Sequence, residues 1–362
     1  MRAIASTYHR VRVLKCRADT TAKLLAGALA TFVLCASPAG ASTLVIEGAG
    51  DGHGVGMSQD GALGYAQHGW SDQAILAHYY TGTTLGQAPA RAVIRVLVGS
   101  KVVAVPLERY VRGVVAAEMP SSWPLAALEA QAIASRTYAL TSHAGGSRFN
   151  VYSDTRSQMY LGKAAETASS NTAVAATAGQ IVLYDGQPAI TYFFASSGGM
   201  TESIENSFVG AQPEPWLVSV PDAYETGASA WKVDLGFGTV AARLRGLVKG
   251  SFRGIEVLQR GVSPRIVSAE VLGTRGSMPV SGPELAGRLG LSSTWEFFSV
   301  KSGATVKREP DVSGRAPTSG EPTGSAPAPT PPVAPAPTSP QGGAQAPGAT
   351  ISTVNTGGAA AG

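Results

Sequence analysis

The sequence predicts an α+β fold of mixed sheets and hairpins with several helices. Three observations predict it. Two hairpin signatures, at Gly99-Ser100 and Asp185-Gly186, are each flanked by apolar, strand-like runs. A long stretch of helix formers follows Pro124. Near the C-terminal side, SPRIVSAEVLG, SGPELAGRLGL and STWEFFSV alternate as strand, helix, strand.

The two ends bound this fold. Residues 1–41 read as an export signal: a basic start, the apolar run LLAGALATFVLCA, and Ala39-Gly40-Ala41 before Ser42. The run is short for a bilayer span, so a membrane is expected as a partner only through an uncleaved signal. The segment holds six of the 28 basic and one of the 24 acidic residues, leaving 22 and 23 in the mature chain. That near-neutral balance gives no support to nucleic acid as a partner. Both cysteines, Cys16 and Cys35, also lie in the segment, so neither disulfides nor thiolate ligands are expected after export. Residues 308–362 are rich in Pro, Ala, Thr and Gly, hold eleven of the 23 prolines and contain no aromatic residue. They are expected to form a disordered tail.

In order along the chain, TLVIE is a short strand leading into Gly50, Gly52, Gly54 and Gly56. Such a cluster lets the backbone turn tightly or approach a ligand closely. It fails the dinucleotide fingerprint at the third glycine and lacks a phosphate-loop lysine. Two short helices follow, one closed by Gly69 after His68, the next starting at Ser71 and burying Ile75, Leu76 and Tyr79. His53 in the glycine loop reads as a hydrogen-bonding residue or a site residue. His68, His78 and His143 show no metal-ligand spacing, and no metal or cofactor is expected. RAVIRVLV and KVVAV then form the first hairpin.

That hairpin delivers the chain to VPLERYVRGVVAAEMPSSWP, where Glu118 stands alone between an apolar run and Pro120. Pro120 and Pro124 forbid interior helix bonds, so Glu118 should sit at the end of an element. Apolar neighbours Met119 and Trp123 should raise its pKa. In the next helix, with Ser121 or Ser122 near its start as a cap, Leu125, Leu128, Ala132 and Ala139 share one stripe with Arg136 in its midst. An arginine on a buried face must be paired or must line a polar pocket; Glu129 and Glu118 are the two partners the spacing offers. Farther on, Gln158 and Tyr160 in NVYSDTRSQMYLG read either as a sugar-binding surface or as a packed loop. A helix through 172–177 leads to the second hairpin, which ends in the hydroxyl-rich turn Ser196-Ser197-Gly198-Gly199. The closing strand-helix-strand segment reads as structural, with Ser281 capping its helix.

Several motifs together resemble the stage II sporulation protein D family, the SpoIID/LytB domain. They are GHGVGMSQDGA, VPLERYVRGVVAAEMPSSWP, ALEAQAIASRTYAL, SQMYLG, ATAGQIVLY, SSGGMT and VSGPELAGRLGLSSTW. The resemblance spans about residues 48–300 and suggests a domain over 42–307. Within it, 48–86 precedes a catalytic region at 92–300, an order similar to that of many actinobacterial relatives; sporulation members carry GHGVGMSQ after the catalytic region. It implies a glycan-binding cleft and a secreted, cell-wall-associated lytic transglycosylase acting on peptidoglycan strands stripped of stem peptides. The implied catalytic acid is Glu118. The resemblance also implies Arg136 and Tyr138 as site residues and the turn with Ser196, Ser197 and Gly198 as part of the glycan cleft; Gln158, Tyr160, His53 and Gln59 are further candidate substrate contacts. Some relatives bind zinc near the positions of Ser157 and Gln158, where this chain has neither cysteine nor histidine. LytB-type relatives imply a different role, a wall-binding enhancer with a cell-wall amidase as partner.

Overall fold

A computed structural model of the protein describes residues 42–225, 230–302 and 305–307. The predicted export segment and Pro-rich tail lie outside the described residues. In chain order the first elements are β1 (Thr43–Ala49), β2 (Met57–Ser58), α1 (Gln59–Gln67), α2 (Asp72–Tyr79), β3 (Thr84–Gln87), β4 (Val93–Val98) and β5 (Lys101–Pro106). The centre of the chain holds α3 (Leu107–Glu118), α4 (Leu125–Thr141), β6 (Val151–Tyr152), a 3₁₀ turn (Gly162–Ala165) and α5 (Ala168–Ala176). Next come β7 (Gln180–Tyr184), β8 (Gln187–Pro188), β9 (Phe193–Phe194) and α6 (Ile204–Ser207). The last part contributes β10 (Ala230–Gly236), α7 (Phe237–Arg243), β11 (Phe252–Arg260), β12 (Ile266–Gly273), β13 (Gly276–Ser281), α8 (Gly282–Leu289), β14 (Glu296–Ser302) and β15 (Thr305–Lys307). The fold is α+β, with small sheets ordered β10-β1-β14-β15, β11-β12-β13, β3-β7-β8, β5-β4-β6 and β2-β9.

Both hairpins form at the predicted turns, with Val98 opposite Lys101 and Tyr184 opposite Gln187. At the second, Asp185 and Gly186 both have positive φ, 48° and 74°, the geometry a two-residue turn between twisted strands requires. The predicted caps at Ser71 and Ser281 are present, each hydroxyl accepting a backbone N–H three residues on. The cap expected from Ser121 or Ser122 is not: α4 starts behind Pro124 without a side-chain cap. Proline supplies no hydroxyl, but its fixed φ sets the helix entry.

Two hydrophobic cores result. The first surrounds α4, which packs against α1, α2, α3, α5 and β7. From residue 130 to 139 every side chain of α4 is buried, so the single predicted stripe is a helix enclosed all round, and Leu125, at the open first turn, is exposed. Its many alanines let neighbouring helices approach closely. The second core joins β1 and β10–β14 to α7 and α8, through Leu44, Ile46, Ile255, Val271 and Leu285. Among the described residues no helix is long and apolar enough to cross a membrane.

Candidate active site

Glu118 is the last residue of α3; Met119 turns extended and Pro120 blocks any continuation. The helix end therefore aims the carboxyl group at the segment following β6. Its Oε1 accepts the Met159 backbone N–H at 2.5 Å, and its Oε2 accepts Gln59 Nε2 at 3.2 Å. Burial raises its pKa, and the two donors oppose that shift. The upward shift comes from desolvation and not from a neighbouring anion, and both donors that oppose it are uncharged.

Around Glu118 lies a ladder of neutral polar groups. Gln59 also reaches Gln131 Oε1 at 3.5 Å, and Gln131 Nε2 donates to Ser135 Oγ at 2.9 Å. Gln158 Nε2 donates to the Tyr110 hydroxyl at 2.9 Å and to the Ser135 carbonyl at 3.2 Å. Tyr160 stacks on Tyr110 with ring centroids 5.0 Å apart. Four stretches distant in sequence thus meet: the start of α1, the end of α3, the middle of α4 and residues 158–160.

Gln59 reaches Glu118 because the glycine loop ahead of α1 presses against the rest of the chain. Gly54 and Gly56 have φ of +85° and +77°, and a Cβ on them would stand 2.4 Å from Arg265 Nε and 2.1 Å from the Tyr192 carbonyl. The close approach predicted for this loop is thus to its own protein. Although GHGVGMSQ comes first in the chain, it lies beside Glu118.

The other predicted contacts divide. Tyr160 is half-buried at the edge of the ladder. Gln158 is 1% exposed, so it supports Tyr110 instead of offering a sugar-binding surface. Arg136 is corrected outright: it is fully buried and pairs with neither Glu129 nor Glu118. Its Nε and Nη2 grip Glu108 at 2.8 and 2.9 Å, and its Nη1 donates to the Gln180 carbonyl. The periodicity of α4 could not reveal this partner, because Glu108 comes from the first turn of α3. Glu108 also accepts the Gly179 N–H, so the pair ties α3, α4 and the entry to β7 together. Tyr138 is buried, edge-on to Tyr192 and Phe193. Ser196 and Ser197 are buried with both hydroxyls donated to Glu225, and Gly198 lies against Ala49 and Trp295, so this turn holds the chain's own carboxylate. His53 packs among Tyr192, Phe194 and Phe208, accepts the Val55 N–H, and is pulled down to a pKa of about 4 by burial and by Arg265. In the structure these groups are engaged with other parts of the protein, with His53 and Gly198 partly exposed.

Sequence reasoning missed Tyr110, Gln131 and Ser135. The last two stand four apart on one face of an otherwise alanine-rich helix, a spacing at which buried polar residues meet each other. It also missed the junction at Arg265, in the segment read as structural. Arg265 is 1% exposed and donates to the Gly52 and Ser197 carbonyls, joining the glycine loop to the serine turn. Nearby, Glu202 is fully buried and accepts five hydrogen bonds, from Ser203 N, Asn206 Nδ2, Val262 N, Ser263 N and Ser263 Oγ. Among the described residues no group of three or more His, Cys, Asp or Glu is arranged to hold a metal ion.

Residues 99–184 match the family model described as stage II sporulation protein, SpoIID. An uncharacterized protein of Brachyspira hyodysenteriae is 43% identical over 110 residues, 30% of either chain. Stage II sporulation protein D of Bacillus subtilis is 28% identical over 242 residues, 62% of this chain and 68% of the relative. The amidase enhancer of Bacillus subtilis is 35% identical over 110 residues, which is 30% of this chain and 14% of the relative. The chain thus spans less than a third of the Brachyspira protein and a small part of the amidase enhancer.

Proposed function

Since this chain belongs to the SpoIID/LytB family and so has a cell-wall-related role, we propose that it is a secreted peptidoglycan lytic transglycosylase with Glu118 as its single acid and base. The observation that carries this reading is the Glu118 environment. Burial raises the pKa of the carboxyl group, two neutral donors fix its orientation, and among the described residues no cation forms an ion pair with it.

In the first half-reaction the Glu118 proton passes to the glycosidic oxygen as the bond to the muramyl C1 breaks. Positive charge develops at that carbon. The carboxylate left behind keeps the Met159 N–H and the Gln59 amide as hydrogen-bond donors, which favour its charged form. It then takes the proton of the same sugar's 6-hydroxyl as that oxygen bonds to C1, closing an anhydro ring. Glu118 ends protonated, ready for another turnover. The attacking group is already part of the substrate, so proximity replaces the second carboxylate of a hydrolase.

The test is digestion of stripped glycan strands by the purified protein, with chromatography of the products. Anhydromuramyl ends are expected, and ordinary reducing ends or intact strands would refute the reading. A second reading rests on the likeness to the amidase enhancer: the domain binds wall glycan and stimulates an amidase without cutting. Stimulation of an added wall amidase, undiminished by Glu118→Gln, would favour it.

A further inference from the structure

Beside the glutamate ladder, α3 presents a second polar concavity. A cavity of about 420 Å³ is lined by Pro106, Glu108, Arg109 and Arg112, and by Lys163 and Glu166 from the 3₁₀ turn and the residue after it. Three cations and two carboxylates line it. Glu108 is already committed to the buried Arg136, so Glu166 alone faces three cations. Arg109, Arg112 and Lys163 form no ion pair among the described residues. The Nε of Arg112 is shielded from solvent and has no hydrogen-bond partner in the protein. A guanidinium with an unused, sheltered donor is well suited to a planar anion, because its fork matches a carboxylate.

The cavity adjoins the proposed catalytic site. Arg112 precedes Glu118 by six residues on one helix, about 9 Å along its axis. Tyr160 links the two, stacking on Tyr110 and lying against Gly113, the residue after Arg112. Six residues also turn the helix by about 240°, so a strand lying at Glu118 reaches the cations by passing over Tyr160 and round α3, not straight along one face.

We propose that Arg109, Arg112 and Lys163 form an anion subsite for a carboxylate of the glycan strand, a step that rests on reading Glu118 as acting on peptidoglycan. The chemistry of the polymer supplies the group. Where a stem peptide has been cut from muramic acid, the lactyl arm ends in a free carboxylate; where the peptide remains, the same position is a neutral amide. The subsite thus selects stripped strands by charge.

The decisive measurement is equilibrium binding by the full chain carrying Glu118→Gln, so that strands stay uncut. The probes are stripped glycan strands and the same strands with carboxylates converted to methylamides by carbodiimide and methylamine. About tenfold tighter binding of the carboxylate form is expected at low salt, shrinking as ionic strength rises. Adding Arg109→Gln, Arg112→Gln and Lys163→Gln should reduce it to the level of the methylamide form while the melting temperature holds. Equal binding of the two strand types, or of carboxylate strands by chains with and without the three cations, overturns the proposal. If the triple variant fails to fold, the comparison of the two strand types decides alone. Poly(glycerol phosphate) is the competing probe: tenfold tighter binding of it that depends on the same three residues would reassign the subsite to phosphate and overturn the carboxylate. Failure of the lytic reading shows separately, as absence of cleavage by the unmodified chain with the charge preference intact.

Discussion

Two glutamates in this protein are buried in opposite ways. Glu202, at the junction near Arg265, is wholly enclosed and accepts five hydrogen bonds. Glu118, at the end of α3, is half-buried and accepts two. A carboxylate offers about four lone-pair sites, so the first group is saturated and the second is not. Saturation makes a fastener: Glu202 holds 202–206 against the loop ahead of β12. On the proposed function, the unsaturated group keeps an oxygen lone pair for a reacting proton, and burial raises its pKa. If the proposal holds, the same residue type is structural or chemical according to how many donors the fold brings to it.

The same substitution at both positions separates these roles. Glu118→Gln should lower glycan cleavage by about 10² to 10⁴, read as anhydromuramyl ends, with the urea unfolding midpoint little changed. Full cleavage by that variant would break the comparison. Glu202→Gln should cost roughly 3 kcal/mol of stability in urea unfolding, because an amide nitrogen then faces donors it cannot accept from. If it unfolds no more easily than the parent chain, saturation is not what fastens the junction.

pH gives a smaller and sharper measure. Glu296 opens β14 fully buried, with neither carboxyl oxygen hydrogen-bonded, and burial pushes its pKa up to about 8 despite the Arg260 cation. Unfolded, it gives up its proton near pH 4.5. Stability linked to this group is present in full below about pH 4.5 and is lost as pH rises to about 8. Glu296→Gln should flatten that part of the stability profile, measured as melting temperature between pH 4 and 9. The least effect is expected at Gln59. Its amide opposes the rise in the Glu118 pKa, so Gln59→Leu should move the upper limb of the pH–rate profile to higher pH and slow cleavage about tenfold. An unmoved limb would show that Gln59 does not tune the acid.

Local chemistry made much of this fold legible in the residues themselves. Glycine-bearing pairs fixed both hairpins, serines fixed the starts of α2 and α8, and two prolines fixed the end of α3 at Glu118. These signals act over a few residues, through φ restrictions and backbone hydrogen bonds that neighbours in sequence satisfy. Desolvation of Glu118 could likewise be anticipated from its apolar flanks. The partners of buried charge could not. Arg136 took Glu108 from another helix, Ser196 and Ser197 took Glu225, and Arg265 took carbonyls from loops more than sixty residues away. A buried charge accepts whichever group the packed chain presents at hydrogen-bonding distance, and that choice exists only once the cores have closed.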